Sequence, residues 1–162
     1  YEYRPVEIDL ENDIIKPLYT ETRYLAELKG LAFNLNIEKG VGMIYADNYS
    51  VTQIFTNLVD NAIKFTKSGK VEINLKAEEE RIITEIIDTG VGISEEYLPY
   101  ITHPFSQEEQ GYTRKYEGTG LGMSLVQKYC EMNNAVLKVE SKKGEGSKFS
   151  VIFERSSPPQ SR

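Results

Sequence analysis

Between Asp47 and about Lys67 runs a helical pattern that leaves this chain little choice of fold. Ile54, Phe55, Leu58, Val59, Ala62 and Ile63 recur at three- and four-residue spacings and cover one side of it. Asn57, Asn61 and Lys64, at about 100° per residue, stack within an arc of about 60° on another side. A helix about twenty residues long with such a side must lie on a core. The sequence that follows supplies the second layer. Lys70 to Ala77 and Ile82 to Asp88 read as two strands around the charged turn Glu78-Glu79-Glu80-Arg81, and residues 135–141 and 147–154 read as two more, joined by Lys142-Lys-Gly-Glu-Gly146. Helices on a sheet, an α/β domain, is the architecture this pattern predicts.

The remaining segments fit one domain. Val6-Glu-Ile-Asp-Leu10 alternates and predicts a short strand. Ile14, Ile15, Leu18, Leu25 and Leu28 form a broad apolar helical stripe that Gly30 stops, and Pro17, lacking an N–H, is expected to kink or delay that helix. Residues 31–38 alternate strictly, Met43 to Ala46 make another short strand, and Asp47 is placed to N-cap the long helix. Ser94-Glu-Glu has the start signals of a short helix limited by Pro99, and a further helix is expected from about Thr119 to Asn133. Residues 102–118 are polar and aperiodic, and a loop of about that length inside a compact domain is usually functional or disordered. Residues 156–162 have no apolar side chain to bury and read as a disordered tail, which leaves residues 1–155 as a single domain.

Composition excludes several functions. Nineteen Lys and Arg against 25 Asp and Glu give a net charge of −6, the wrong balance for coating nucleic acid or for a polybasic membrane surface. A lone Cys130 and a lone His103 exclude an intramolecular disulfide framework, a multi-cysteine zinc site and a histidine metal cluster, and suit a reducing compartment. No apolar run approaches the ~18 residues of a membrane-spanning helix, and no signal-peptide pattern is present. The chain opens on Tyr1 rather than Met and so reads as a piece of something longer.

Three motifs carry chemistry. Asn57-Leu-Val-Asp-Asn61-Ala-Ile-Lys64 puts two interior asparagines on one helix face, where Glu, Lys or Gln would serve a plain solvated surface better. Asp88-Thr-Gly-Val-Gly92 ends a strand in a turn whose glycines let backbone approach a ligand, and whose carboxylate can accept from an amino group such as that of adenine; in isolation it is equally a glycine-rich turn. Gly118-Thr-Gly120-Leu-Gly122 runs from the irregular loop into a helix N-terminus, a setting suited to phosphates, with Arg114 and Lys115 just upstream. It lacks the Rossmann spacing, and no Walker sequence occurs, since Val71 stands where Gly69-Lys70 would need Ser or Thr. A rival reading takes Asp88-Thr-Gly as half of an aspartic-protease dyad, which needs a homodimer and leaves the asparagine face and the later glycines unexplained.

Together and in this order, the motifs resemble the N, G1 and G2 boxes of the GHKL ATP-binding superfamily, most nearly the catalytic and ATP-binding (HATPase) domain of bacterial sensor histidine kinases. Asn57 to Thr66 is similar to the N box, Asp88-Thr-Gly90-Val-Gly92-Ile93 to G1, Pro104-Phe105-Ser-Gln107 to the F box and Gly118 to Gly122 to G2, so that the likeness spans about residues 6–154. It implies the Bergerat fold: a two-layer α/β (α+β) sandwich with a mixed, mostly antiparallel sheet, helices on one face and a flexible ATP lid at 102–118.

It also implies roles. Asp88 holds the adenine amino group, and Gly90, Gly92 and Ile93 shape the base site. Asn57 ligates Mg²⁺ through its oxygen, a chemistry suited to an ion that takes its remaining ligands from phosphates and water. Asn61 and Lys64 contact phosphate or its hydration shell, and Arg114 sits near the γ-phosphate. Phe105, Gly118, Thr119, Gly120, Leu121 and Gly122 form the lid and the phosphate end. Asn57, Lys64 and Arg114 are the catalytic candidates. The cofactors implied are ATP and Mg²⁺. The implied partners are a helical dimerisation and phospho-acceptor domain of the same parent and a downstream response-regulator receiver, with no nucleic acid and no membrane insertion by this domain. The implied location is cytoplasmic, within a parent that can be membrane-anchored.

His103 departs from the acidic residue often found before Pro-Phe in these kinases, and Thr102 from an aromatic or aliphatic one. His103, followed by Pro104, does not match the family's phospho-acceptor. Two further readings stand beside the kinase. One is a GHKL ATPase, which carries a general-base Glu where this chain has Asn57. The other is a degenerate nucleotide-sensing or docking module.

Overall fold

The structure is a computed structural model that describes residues 1–101 and 122–156. Five strands form one sheet: β2 (Ala32–Ile37), β4 (Lys70–Glu78), β5 (Arg81–Asp88), β7 (Gly146–Glu154) and β6 (Val136–Lys142), side by side in that order. β4, β5, β7 and β6 are mutually antiparallel, whereas β2 joins β4 in parallel. A parallel neighbour requires a crossover. It runs through β3 (Met43–Asp47) and the helix α2 (Asn48–Lys64); β3 pairs antiparallel with β1 (Pro5–Asp9) in a small separate sheet. Two further helices, α1 (Lys16–Leu28) and α3 (Gly122–Met132), complete the helical layer. The architecture is the mixed, mostly antiparallel α/β sandwich that the sequence implies.

The period-two pattern of the strands decides which sheet face is covered. Val71, Ile73 and Leu75 of β4, Ile82, Thr84 and Ile86 of β5, and Phe149, Val151 and Phe153 of β7 are buried on the face that meets the helices. From α2 come Ile54, Phe55, Leu58, Val59, Ala62 and Ile63, the side chains that the apolar stripe predicts. From α3 come Met123, Val126 and Cys130. The rings of Phe55 and Phe153 lie 6.3 Å apart across the two layers. Asp88 continues the inward series 82, 84, 86, so its carboxyl points to the helical side at the end of the strand.

Asp47 caps α2 as expected, accepting from the Ser50 N–H (2.9 Å) and Oγ (2.7 Å). It does more than cap. Its Oδ1 accepts from the Arg4 N–H (2.9 Å), Tyr1 Oη donates to the same Oδ2 that Ser50 meets, and the Asp47 N–H donates to Asn133 Oδ1 (2.8 Å) beyond α3. Asn133 Nδ2 in turn donates to Ser50 Oγ (2.8 Å). Burial pushes the Asp47 carboxyl up, but the hydrogen bonds from Ser50 and Arg4 outweigh it and hold it below the usual carboxylate range.

Three sequence expectations need correction: the end of α2, the buried stripe of α1 and the helix after Ser94. α2 stops at Lys64, not near Lys67, because Lys29 Nζ donates to the carbonyls of Ile63 (2.6 Å) and Lys64 (3.0 Å) and closes the helix end. Pro17 delays α1 as anticipated, but the preceding residues Leu10–Ile15 form a wide π-type turn in which the Lys16 N–H reaches the Glu11 carbonyl. After that turn the buried stripe runs through Leu18, Thr22 and Ala26, while Leu25 and Leu28 are 47% and 66% exposed. The helix expected from Ser94 is a single 3₁₀ turn, Leu98–Tyr100. The lid at 102–118, residues 119–121 of the third helix and residues 157–162 of the tail lie outside the described residues.

Candidate functional site

The polar face of α2 leads to a place where three elements meet. At the helix end the chain passes through Phe65 and Thr66, and the Phe65 carbonyl accepts from the Val91 N–H (3.1 Å) of the turn after β5. One turn of helix earlier, Asn61 Nδ2 lies 3.8 Å from Met123 Sδ at the start of α3. The end of α2 is thus bracketed by the Asp88–Gly92 turn and the N-terminus of α3, the two elements the sequence marks for the base and the phosphates.

Asp88 is buried, and burial pushes its carboxyl up; hydrogen bonds from the N–H groups of Gly90 (2.8 Å, to Oδ1) and Ser147 draw it back without cancelling that effect. Among the described residues no cation pairs with it. A carboxylate kept in such surroundings is suited to a ligand that brings its own donor. The turn is tight around it. A Cβ on Gly90 would lie 2.3 Å from the Phe65 carbonyl oxygen, 2.7 Å from Thr66 Oγ1 and 3.0 Å from Asp88 Oδ1. Gly92, at φ +69°, would meet the Lys142 carbonyl at 2.1 Å. Both glycines are therefore fixed by the protein's own packing, whatever the site binds.

On α2, Asn57 Nδ2 donates to the Gln53 carbonyl (2.8 Å), which sets its rotamer and turns the amide oxygen away from the helix backbone. Asn57 and Asn61 are half-buried, and Lys64 is exposed with its ammonium 5.3 Å from the Phe65 ring. Ile93 is fully buried in the core, and its N–H donates to Ser141 Oγ (2.7 Å). Gly122 opens α3. Phe105, Arg114, Gly118, Thr119, Gly120 and Leu121 lie outside the described residues.

Sequence reasoning missed two contributors. Ser147 reaches Asp88 because the strand register pairs the two residues, and nothing local announces a partner 59 positions away. Thr66 is fully buried and its Oγ1 has no hydrogen-bond partner among the described residues; its place directly after the amide-bearing helix was the available signal.

The fold and this bracketed carboxylate define a class. Residues 46–157 match the family described as histidine kinase-, DNA gyrase B-, and HSP90-like ATPase, and the chain belongs to that family. Within it the resemblance is to histidine kinases. An uncharacterised sensor-like histidine kinase of Rhizobium meliloti is 39% identical over 129 residues, 79% of this chain and 25% of the relative. The autoinducer 2 sensor kinase/phosphatase LuxQ of Vibrio parahaemolyticus is 36% identical over 148 residues, 87% of this chain and 17% of the relative. The chain thus spans a quarter or less of these relatives' length. Among solved structures, full-length ShkA in complex with AMPPNP superposes at a TM-score of 0.81 with 24% identity, over 98% of this chain and 33% of that one. The catalytic domain of histidine kinase ThkA superposes at 0.79 with 24% identity, over 98% and 99%. At that identity the two structures speak for the fold.

Proposed function

We propose that this domain binds ATP with Mg²⁺ and donates the γ-phosphate to a histidine on a separate helical dimerisation domain of its parent, from which a response-regulator receiver takes it. The observation that carries the reading is the meeting of a buried carboxylate, Asp88, that pairs with no cation among the described residues, with the end of an amide-bearing helix and the start of α3. The orphaned Thr66 hydroxyl and the close-packed Gly90 beside that carboxylate fit a site made for a polar base.

In this reading Asp88 accepts from the adenine amino group and orients the base. Asn57 and Asn61, one turn apart, present carboxamides to the phosphate end, and the oxygen of Asn57 is the hard donor that Mg²⁺ requires. Magnesium, when bound, supplies charge neutralisation on the triphosphate. Lys64 and Arg114 add positive charge near it, and the N–H groups at the start of α3, with Gly122, meet the anion. The acceptor imidazole nitrogen then attacks the γ-phosphorus as the bond to the β-phosphate oxygen breaks and ADP leaves. Little covalent chemistry falls to the domain, because positioning and neutralisation supply most of the rate. The amide at Asn57, with its N–H tied to the Gln53 carbonyl, is no base for water, which supports a kinase over an ATPase.

The test is transfer in trans. Mixing this domain with a separately made histidine-bearing hairpin and γ-labelled ATP is expected to label the hairpin in a magnesium-dependent way. Steady phosphate release with no labelled hairpin would favour the ATPase, and absence of ATP binding would defeat both.

A further inference from the structure

The two outer strands of the sheet are finished differently. β6 carries Lys138, Glu140 and Lys142 along its length, charges of the kind that keep a free strand edge from pairing. β2, Ala32-Phe-Asn-Leu-Asn-Ile37, carries none. It pairs with β4 in parallel, so alternate residues turn both main-chain groups toward β4. Ala32 and Glu38 do so, donating to the carbonyls of Gly69 (3.0 Å) and Leu75 (2.8 Å), and the odd-numbered residues therefore face the free side. There Tyr19 Oη donates to the Phe33 carbonyl (2.8 Å) and closes the first half of the edge. The N–H and C=O groups of Leu35 and Ile37 have no partner among the described residues. The charge that follows them is drawn off, since Glu38 Oε1 accepts from the Ala77 N–H (3.3 Å) of β4.

The open face of the sheet leads to the same place. A row of polar side chains crosses every strand on it: Glu140 beside Lys148 Nζ (3.8 Å), Lys148 beside Glu85 (3.1 Å), Asn74 Nδ2 donating to Glu85 Oε1 (3.4 Å) and Asn36 Nδ2 donating to Asn74 Oδ1 (2.8 Å). Asn36, the last member, is exposed and has one amide N–H and its carbonyl oxygen left over.

We infer that this edge pairs with the same edge of a second copy of the chain, antiparallel about a two-fold axis at Asn36. In that register Leu35 of one copy and Ile37 of the other exchange both main-chain hydrogen bonds. The two Asn36 side chains then lie on one face with their Cβ atoms about 4.5–5.5 Å apart. A second copy is favoured over an unrelated strand because a carboxamide is its own complement. Each Asn36 donates to the other's oxygen, and the polar row continues unbroken into the partner sheet. The contact is small and weak, with an expected dissociation constant on the order of 0.1–1 mM. It fills where two copies are held together at an effective concentration of about a millimolar. The pairing does not depend on the ATP-binding reading.

The test is sedimentation of the domain from about 10 μM to about 2 mM, with amide NMR spectra at each concentration. Wild type is expected to pass from monomer to dimer, while the Leu35 and Ile37 amide signals shift together and their exchange slows. Asn36→Lys and Asn36→Asp, which set like charges against each other at the axis, should each weaken the dimer by about tenfold or more without lowering the melting temperature. An equimolar mixture of the two variants should restore it, because opposite charges then face each other. Val136→Lys, near the other edge, should leave it unchanged. A wild type that stays monomeric overturns the inference, even if a foreign strand-forming peptide then shifts the Leu35 and Ile37 signals. A dimer that survives Asn36→Lys, one that Val136→Lys abolishes, or a mixture no better than either variant alone overturns it equally.

Discussion

Strand β5 carries two buried carboxylates three residues apart, and they teach opposite lessons. Glu85 lies on the open face of the sheet, where Lys148 Nζ (3.1 Å) and Lys76 Nζ (3.4 Å) meet its Oε2. Burial pushes it up, but the hydrogen bond and charge of Lys148, the charge of Lys76 and a hydrogen bond from Asn74 outweigh that and hold it below the usual glutamate range. The same contact holds the Lys148 ammonium above its ordinary value. Asp88, on the helical face, has two backbone N–H donors and, among the described residues, no cation, and burial keeps it raised. Glu85 has its partners within the fold, whereas Asp88 waits for one from outside. A perturbed carboxylate in a ready ion pair is structural, and one left short of a counter-charge is the better candidate for a ligand.

The sharpest way to break this contrast is to neutralise each in turn. Asp88→Asn is expected to weaken ATP by about a hundredfold, the scale of a charge-assisted hydrogen bond, while Glu85→Gln leaves affinity unchanged; calorimetric titration reads both. Equal losses would erase the distinction. Next in size, Asn57→Ala should reduce the magnesium-dependent part of ATP binding by roughly tenfold or more, as a lost metal-site contact does, while Asn61→Ala weakens ATP with and without magnesium. Titrations with and without magnesium will show which of the two bears the ion, since that variant alone loses the metal effect.

The stability consequences are smaller. Glu85→Ala should cost about 1 kcal/mol, kept low because both lysines are more than a third exposed. That corresponds to about 2–4 °C in melting temperature for a domain of this size. Smallest of all is the pH signature. Glu85, lowered in the fold, contributes stability that is present above its unfolded value and lost as pH falls through the folded one. Asp88, raised in the fold, behaves inversely: its contribution is full below the unfolded value and is lost as pH rises through the folded one. Glu85→Gln should flatten the acid limb of the melting profile, and Asp88→Asn should remove the fall on the rising side.

What the sequence made legible follows from locality. The α2 stripe, the hairpin around Glu79 and the Asp47 cap were readable because each is set by residues within a few positions of one another. The orientation of α1 was not, since Leu25 and Leu28 scan as core until the π-type turn before Pro17 fixes which side faces inward. At the site, Asp88 and the asparagines announced themselves by type and spacing. Thr66 offered only its place after the helix, and Ser147 offered nothing local, because the strand register alone sets it opposite that carboxylate.

The knot at Asp47 has a consequence for how the chain folds. The helix that bears the asparagines is sealed at its first turn by a residue 86 positions downstream, since Asn133 holds both Asp47 and Ser50. The two halves of the chain cannot be finished separately, and loop closure over that span precedes the reward. Hydrogen exchange at the start of the helix and at residues 130–135 should therefore report one cooperative opening, so that damage to the C-terminal half loosens the N-terminal half along with it.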